Sequence, residues 1–67
     1  MISEIKKRKP ILELHINGDP YGKGFIAHES TDGGLSWFYR GDIGARSRNW
    51  WRRYAYSYGA TLREYRQ

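Results

Sequence analysis

Residues 47–59, with the sequence SRNWWRRYAYSYG, form the segment that most constrains how this chain can fold. On a helix of about 3.6 residues per turn, five apolar positions fall on one side: Trp50, Tyr54 and Tyr58 in one row, with Trp51 and Ala55 beside it. A stripe of this width is typical of a helix that packs on a core. The sequence therefore predicts an amphipathic helix whose aromatic row is buried.

Residues near both ends of this segment fit helix boundaries. Gly59 stands where helices often place a left-handed residue after their last turn. Either Asp42 or Ser47 can act as the N-cap, depending on where the helix begins.

Arginines occupy the side of the helix opposite the aromatic stripe. Arg48, Arg52 and Tyr56 form a second row with the same spacing, and Asn49 and Arg53 complete that side. We expect guanidinium groups around an exposed phenol. Guanidinium groups grip phosphate through two hydrogen bonds and stack on flat rings. Alternatively, these arginines lay their stems over aromatic side chains and keep their charge in water.

Alternating apolar and polar residues predict two strands before the middle of the chain. In the first, residues 11–17, we expect Leu12, Leu14 and Ile16 to face the core. Residues 25–30 predict a second strand. Its inward face is either that of Phe25 and Ala27 or that of Ile26 and His28, and the pattern leaves both open.

Two further strands are predicted. Residues 31–34 contain Asp-Gly, which favours a tight type I′ hairpin turn because both central positions need positive φ. This turn leads into a third strand at residues 35–40, with aromatic residues on both faces. Residues 61–66 are short and charged, as expected of an edge strand.

Together these elements predict an α+β fold in the order β-β-β-α-β, with an antiparallel sheet of three to four strands and one amphipathic helix. The 67-residue chain is expected to form a single domain at residues 10–67. It has no cysteine, and His15 and His28 come without a zinc-ligand set, so we expect no disulfide, metal or cofactor. Three Trp, six Tyr and two Phe must supply most of the core.

Residues 1–9 predict a flexible basic arm. Four consecutive cations, Lys6, Lys7, Arg8 and Lys9, repel one another and are followed by Pro10. Such an arm either follows a phosphate backbone or is a solubilising end. The N-terminus has no hydrophobic signal region, and no apolar run approaches the ~20 residues that span a bilayer, so we expect no membrane partner.

The residues available for catalysis are few. Seven carboxylates are scattered along the chain, and no thiol is present. His28 and Glu29 are adjacent, but neighbours on a strand point to opposite faces. We therefore expect a binding protein rather than an enzyme.

The charge balance indicates the kind of partner. A net charge of +5 and an isoelectric point near 9.8 favour polyanions. We expect nucleic acid, chiefly duplex DNA, as the ligand. The candidate contact residues are basic side chains and one phenol: Lys6, Lys7, Arg8, Lys9, Arg40, Arg46, Arg48, Arg52, Arg53 and Tyr56.

The predicted order of three strands and a helix resembles that of plant AP2 domains and of the arm-binding domains of tyrosine recombinases. That resemblance implies that the outer sheet face, with Glu13, His15 and one side of residues 35–40, contacts DNA. The small, cysteine-free, aromatic chain also resembles phage accessory proteins that inhibit host enzymes. The alternative function is therefore a protein-interaction module, an inhibitor or adaptor that docks on an acidic protein surface. A cytoplasmic location and a homodimer are both compatible with the sequence.

Overall fold

The computed structural model describes residues 8–17 and 24–65. Its elements are β1 (Ile11–Ile16), β2 (Phe25–Ser30), β3 (Phe38–Tyr39), α1 (Arg48–Tyr58) and β4 (Thr61–Glu64). The predicted α+β class and the order β-β-β-α-β are confirmed. The first seven residues of the predicted arm lie outside the described residues.

The four strands form one mixed sheet in the order β3-β2-β1-β4. β1 pairs antiparallel with β2, and β2 pairs antiparallel with β3. β4 pairs parallel with β1, so the prediction of a wholly antiparallel sheet is wrong for this strand. Parallel strands need a crossover connection. Here α1 provides it, carrying the chain across one sheet face from the β3 edge to the β4 edge.

The core lies between α1 and the sheet face that α1 crosses. Its buried side chains come from two strands, the helix and the residue before β4: Leu12, Leu14, Ala27, Trp51, Ala55 and Ala60. In β2 the inward face is that of Phe25 and Ala27, which resolves the alternative that the sequence left open. Ile16, predicted to face the core, is largely exposed near the end of β1.

Trp51, rather than Trp50, anchors the helix. Trp51 is fully buried, and its Nε1 donates a hydrogen bond to the carbonyl oxygen of Phe25 at 2.9 Å. Phe25 also exchanges two backbone hydrogen bonds with Arg46, just before the helix. Trp50 is 36% exposed and Tyr58 is also exposed, so the predicted burial of the whole aromatic row is wrong. The helix is rotated so that Trp51 points inward, because its indole N–H has a backbone carbonyl oxygen as acceptor.

Both helix ends form as expected. The side chain of Ser47 accepts a hydrogen bond from the backbone N–H of Trp50 at 3.1 Å, so Ser47 is the N-cap. Gly59 follows the last turn with φ of 78°. Close packing before the helix depends on another glycine, since a Cβ on Gly24 would lie 2.5 Å from the carbonyl oxygen of Arg46.

The third strand is much shorter than predicted. Only Phe38–Tyr39 pairs with β2, whereas residues 35–40 were expected to be extended. The preceding loop folds around the carboxylate of Asp32, which accepts hydrogen bonds from the backbone N–H groups of Leu35 and Ser36, each at 3.0 Å. These bonds keep residues 35 and 36 out of the sheet.

The predicted type I′ turn is also wrong. That turn needs positive φ at Asp32, but no described non-glycine residue has positive φ. Gly33 and Gly34 instead take φ of 79° and 100°. The hydrogen bond from the Ser36 side chain is the main cause that lowers the pKa of Asp32 from its ordinary value. Asp32 thus remains ionised while it organises the loop.

The two adjacent tryptophans give a direct test of the helix orientation. We expect Trp51→Ala to lower the free energy of unfolding by about 3–5 kcal/mol, the range for emptying a large core site. Trp50→Ala, the matched control, should cost less than about 2 kcal/mol because its ring is already partly in water. Urea unfolding followed by circular dichroism measures both. Equal losses, or a larger loss for Trp50→Ala, would contradict the observed packing.

Candidate nucleic-acid interface

The outer side of α1 carries two arginines with no acidic partner. Arg52, Arg53 and Tyr56 are all exposed, and Tyr56 is 89% exposed. The side chain of Arg52 makes a long hydrogen bond of 3.4 Å to the amide oxygen of Asn49. Within residues 8–17 and 24–65, neither Arg52 nor Arg53 lies within salt-bridge distance of a carboxylate. Their charges are therefore available to an external anion.

Two more arginines lie near the start of the helix, and they differ in their partners. The guanidinium of Arg46 lies 5.2 Å from the centroid of the Trp50 ring and pairs with no carboxylate in the described part of the chain. Arg48 lies 4.7 Å from the Phe25 ring centroid and forms an ion pair with Glu64 at 2.9 Å. Arg46 thus adds an unpaired cation to the surface, whereas the charge of Arg48 is partly compensated.

The charges along α1 do not follow the pattern that usually complements the helix dipole. The first turn holds no acidic residue and the last turn no basic residue. Because the N-terminus of a helix carries a partial positive charge, cations near it are unfavourable in the isolated protein. An anion bound beside the first turns would offset this repulsion.

The row Trp50, Tyr54, Tyr58 forms a ladder of stacked rings along one flank of α1. Successive ring centroids are 5.4 and 5.2 Å apart, with interplanar angles of 10° and 23°. Tyr54 packs against the core, and Trp51 meets the Trp50 ring edge-on. The ladder has Arg46 beside its Trp50 end and Arg40 near the rings of Tyr54 and Tyr58.

Arg40 belongs to an internal network rather than to the exposed surface. Its guanidinium donates hydrogen bonds to Glu29, which is 1% exposed, and to Asp42 at 2.9 Å. It also donates to the Tyr54 hydroxyl at 3.1 Å, while Tyr58 donates to Glu29 at 2.6 Å. The hydrogen bond to Asp42 is the main cause that raises the pKa of Arg40. Because its donors are used within the protein, Arg40 is not part of the exposed cationic surface of α1.

The described part of the arm lies at the sheet. Arg8 is exposed, and its Nη1 donates to the carbonyl oxygen of Asp32 at 3.0 Å. Lys9 is exposed, and the carbonyl oxygen of Pro10 accepts a hydrogen bond from Thr61. Lys6 and Lys7 lie outside the described residues.

The sheet face opposite α1 carries a second group of aromatic side chains. Tyr39, His28, His15 and Tyr65 form a continuous series of ring contacts across the sheet. The sequence placed His15 and one side of residues 35–40 on this face, left the side of His28 open and did not include Tyr65. The alternation of residues gives the two sides of each strand, but it does not show which strands are neighbours.

Within the described ranges, no three His, Cys, Asp or Glu side chains are grouped so that they could hold a metal ion. In that same part of the chain, no helix has the length and apolar character needed to cross a membrane.

Comparison with known proteins gives no relative: no protein-family model, no curated protein and no solved structure matches this chain. The resemblance to AP2 and arm-binding domains therefore has no support from a matching structure.

The network around Glu29 gives a pH-dependent prediction. Tyr58→Phe removes a hydrogen bond to a buried carboxylate and should cost about 1–3 kcal/mol of unfolding free energy at pH 7. The hydrogen bond to Glu29 raises the pKa of Tyr58. The contribution of this hydrogen bond to the free energy of unfolding is therefore complete below the ordinary tyrosine pKa of about 10. It is lost as the pH rises through the higher pKa that Tyr58 has in the folded protein.

Denaturant unfolding between pH 7 and 11 measures this difference. The difference in stability between wild type and Tyr58→Phe should be constant below pH 10 and should decrease as the pH rises further. Tyr56→Phe is the control, because the exposed Tyr56 hydroxyl has no hydrogen bond in the described structure. A Tyr58→Phe variant as stable as the control at pH 7 would contradict the network.

Proposed function

We propose that this protein is a small, non-enzymatic nucleic-acid-binding protein whose helix α1 contacts the phosphate backbone, with duplex DNA as the expected ligand. The observation that carries this proposal is the pair Arg52 and Arg53, which are exposed and without a carboxylate partner in the described structure. The proposed setting is the cytoplasm.

The helix supports this proposal through its rigidity. Trp51 fixes the rotation of α1, so the opposite side holds its arginines at defined positions. A guanidinium placed in this way can donate two parallel hydrogen bonds to one phosphate. Arg46, stacked near Trp50, adds a third cation close to the start of the helix.

Electrostatics favours a polyanion in particular. The net charge is +5, and the unpaired Arg46 lies just before the N-terminus of α1, where a bound anion would offset the unfavourable interaction of this cation with the helix dipole. Tyr56, between the arginines on the same side, can hydrogen-bond a phosphate oxygen or stack on a sugar or base. Together these features fit a helix that contacts the phosphate backbone of a nucleic acid.

The second candidate is an interaction module for an acidic protein surface. The observation that favours it is Tyr56, which is 89% exposed beside Arg52 and Arg53. Tyrosine and arginine are enriched among the residues that dominate protein interfaces. The surface formed by Arg52, Arg53 and Tyr56 can contact either kind of partner. The salt dependence of binding and the preferred ligand distinguish a nucleic acid from an acidic protein.

The double substitution Arg52→Gln and Arg53→Gln tests the proposal. Each phosphate contact on B-DNA contributes about 0.9 to the slope of log K against log salt. Losing two contacts should therefore reduce the slope by about 2 and weaken binding by about 2 kcal/mol or more. Fluorescence anisotropy with a labelled duplex at four salt concentrations measures both quantities.

The matched control is Arg52→Lys with Arg53→Lys, which keeps both charges. Its salt slope should equal that of wild type, although its affinity falls somewhat with loss of the planar fork. A folded Gln variant with wild-type affinity and slope would rule out the α1 surface. Failure of the wild type to bind nucleic acid at 50 mM salt would favour the acidic protein partner.

A further inference from the structure

The outer face of the sheet is lined with rings and is partly exposed: Ser30 is buried there, whereas Tyr39 is exposed. Because α1 crosses the opposite face, no described helix or strand packs over this one. Register places Tyr39 opposite His28, His28 opposite Glu13, and Glu13 opposite Arg63. These side chains lie in one row across all four strands, since paired residues point to the same face.

The rings form a chain of contacts from one sheet edge to the other. Tyr39 lies 5.5 Å from His28, and His28 lies 4.5 Å from His15, measured between ring centroids. His15 stacks on Tyr65 at 4.3 Å with an interplanar angle of 15°. The two tyrosines at the ends are 55% and 49% exposed. Each therefore presents ring surface to an incoming ligand.

A cationic side chain, that of Arg63, lies on the same sheet face as these rings. The guanidinium of Arg63 lies 5.1 Å from the Trp37 ring centroid, and its Nε donates to Glu13 at 3.0 Å. The Trp37 indole is fixed by a hydrogen bond from Nε1 to the Gly34 carbonyl oxygen at 3.1 Å. Glu13 is the acidic group of this row, and both Arg63 and His15 lie within salt-bridge distance of it. Its negative charge is therefore compensated within the face.

The chemistry of this face suits flat polar rings better than aliphatic side chains. The most exposed aliphatic residues, Ile16 and Leu35, lie outside the row of rings. Tyrosine and histidine rings stack on nucleobases, and such stacking tolerates any base because every base has a π face. Tyr39 and Tyr65 are about three strand spacings apart, roughly 14 Å, which suits two or three bases.

We propose that the outer sheet face, through Tyr39 and Tyr65, binds unpaired nucleobases of a single strand by stacking. Arg63 lies where it can contact the phosphate that links them. This inference rests on the proposed function and adds single-stranded nucleic acid as a ligand class. A duplex does not serve as this ligand, because paired bases inside it do not expose their ring faces. The α1 arginines and the sheet rings are then two surfaces, one for phosphate and one for bases.

The test uses three probes: a 12-nucleotide oligothymidine, an abasic strand of the same length, and a duplex. Tyr39→Leu with Tyr65→Leu removes both rings and should weaken oligothymidine binding about 100-fold, taking about tenfold for each stacked base. The matched control, Tyr39→Phe with Tyr65→Phe, keeps the rings and should bind within about twofold of wild type. Affinity for the abasic strand should be the same in all three proteins.

A second measurement covers the case in which the leucine variant does not fold. Wild-type protein is photo-crosslinked to a strand that contains 5-iodouracil, and the crosslinked residues are located by mass spectrometry. Crosslinks at Tyr39 or Tyr65 support the proposal, and crosslinks confined to α1 overturn it.

The remaining outcomes separate this inference from the proposed function. If the leucine variant binds oligothymidine as well as wild type while Arg52→Gln with Arg53→Gln does not, the base site is overturned and the phosphate surface stands. Equal losses for the abasic strand and the duplex would also overturn stacking, since neither offers an unpaired base. If wild type binds none of the three probes, both proposals fail, and a protein partner for this face becomes the better account.

Discussion

The hydrogen bond from the buried Trp51 indole to the carbonyl oxygen of Phe25 determines how the other parts of this protein are arranged. A buried indole N–H without an acceptor is costly, so the tryptophan that finds one turns inward. The neighbouring bridge between Phe25 and Arg46 fixes the start of the helix against β2. With the rotation of α1 fixed, its aromatic ladder lies over Arg40 and its unpaired arginines point to solvent.

The crossover made by α1 gives the two sheet faces different roles. One face is closed by the helix and holds the core together with the ion pair of Glu29 and Arg40. The other face is left with rings from β1, β2 and β3 and with the ring of Tyr65, which follows β4. Because β3 and β4 lie at opposite edges of the sheet, the chain has to cross one face between them, and α1 makes this crossing. The position of β4 beside β1 is thus the reason why a 67-residue chain can offer both a cationic helix and an aromatic sheet surface.

The features that could be predicted from the sequence are those that depend on residues close together in the chain. The limits of β2 and the left-handed Gly59 depend on neighbours within a few residues, and both are confirmed. Of the two N-caps that the sequence allowed, Asp42 and Ser47, the structure has Ser47. The sequence could not decide between Trp50 and Trp51, because the acceptor that selects Trp51 is 26 residues away in the chain. Three other features likewise depend on which strands become neighbours. These are the direction of β4, the internal placement of Arg40 and the contact between the rings of His28 and Tyr39. Arg52, Arg53 and Tyr56 were predicted to be exposed because the helical period alone places them opposite the core.

The most direct test of the two-surface account is a ¹H–¹⁵N NMR titration that observes backbone amides and arginine Nε–H groups. With a duplex, the account predicts shifts at the side chains of Arg52 and Arg53 and little change in β1 and β2. With oligothymidine, it predicts additional shifts at Arg63 and at the amides of Tyr39 and Tyr65. The same set of shifts with both ligands, or shifts confined to residues outside these two surfaces, would contradict it.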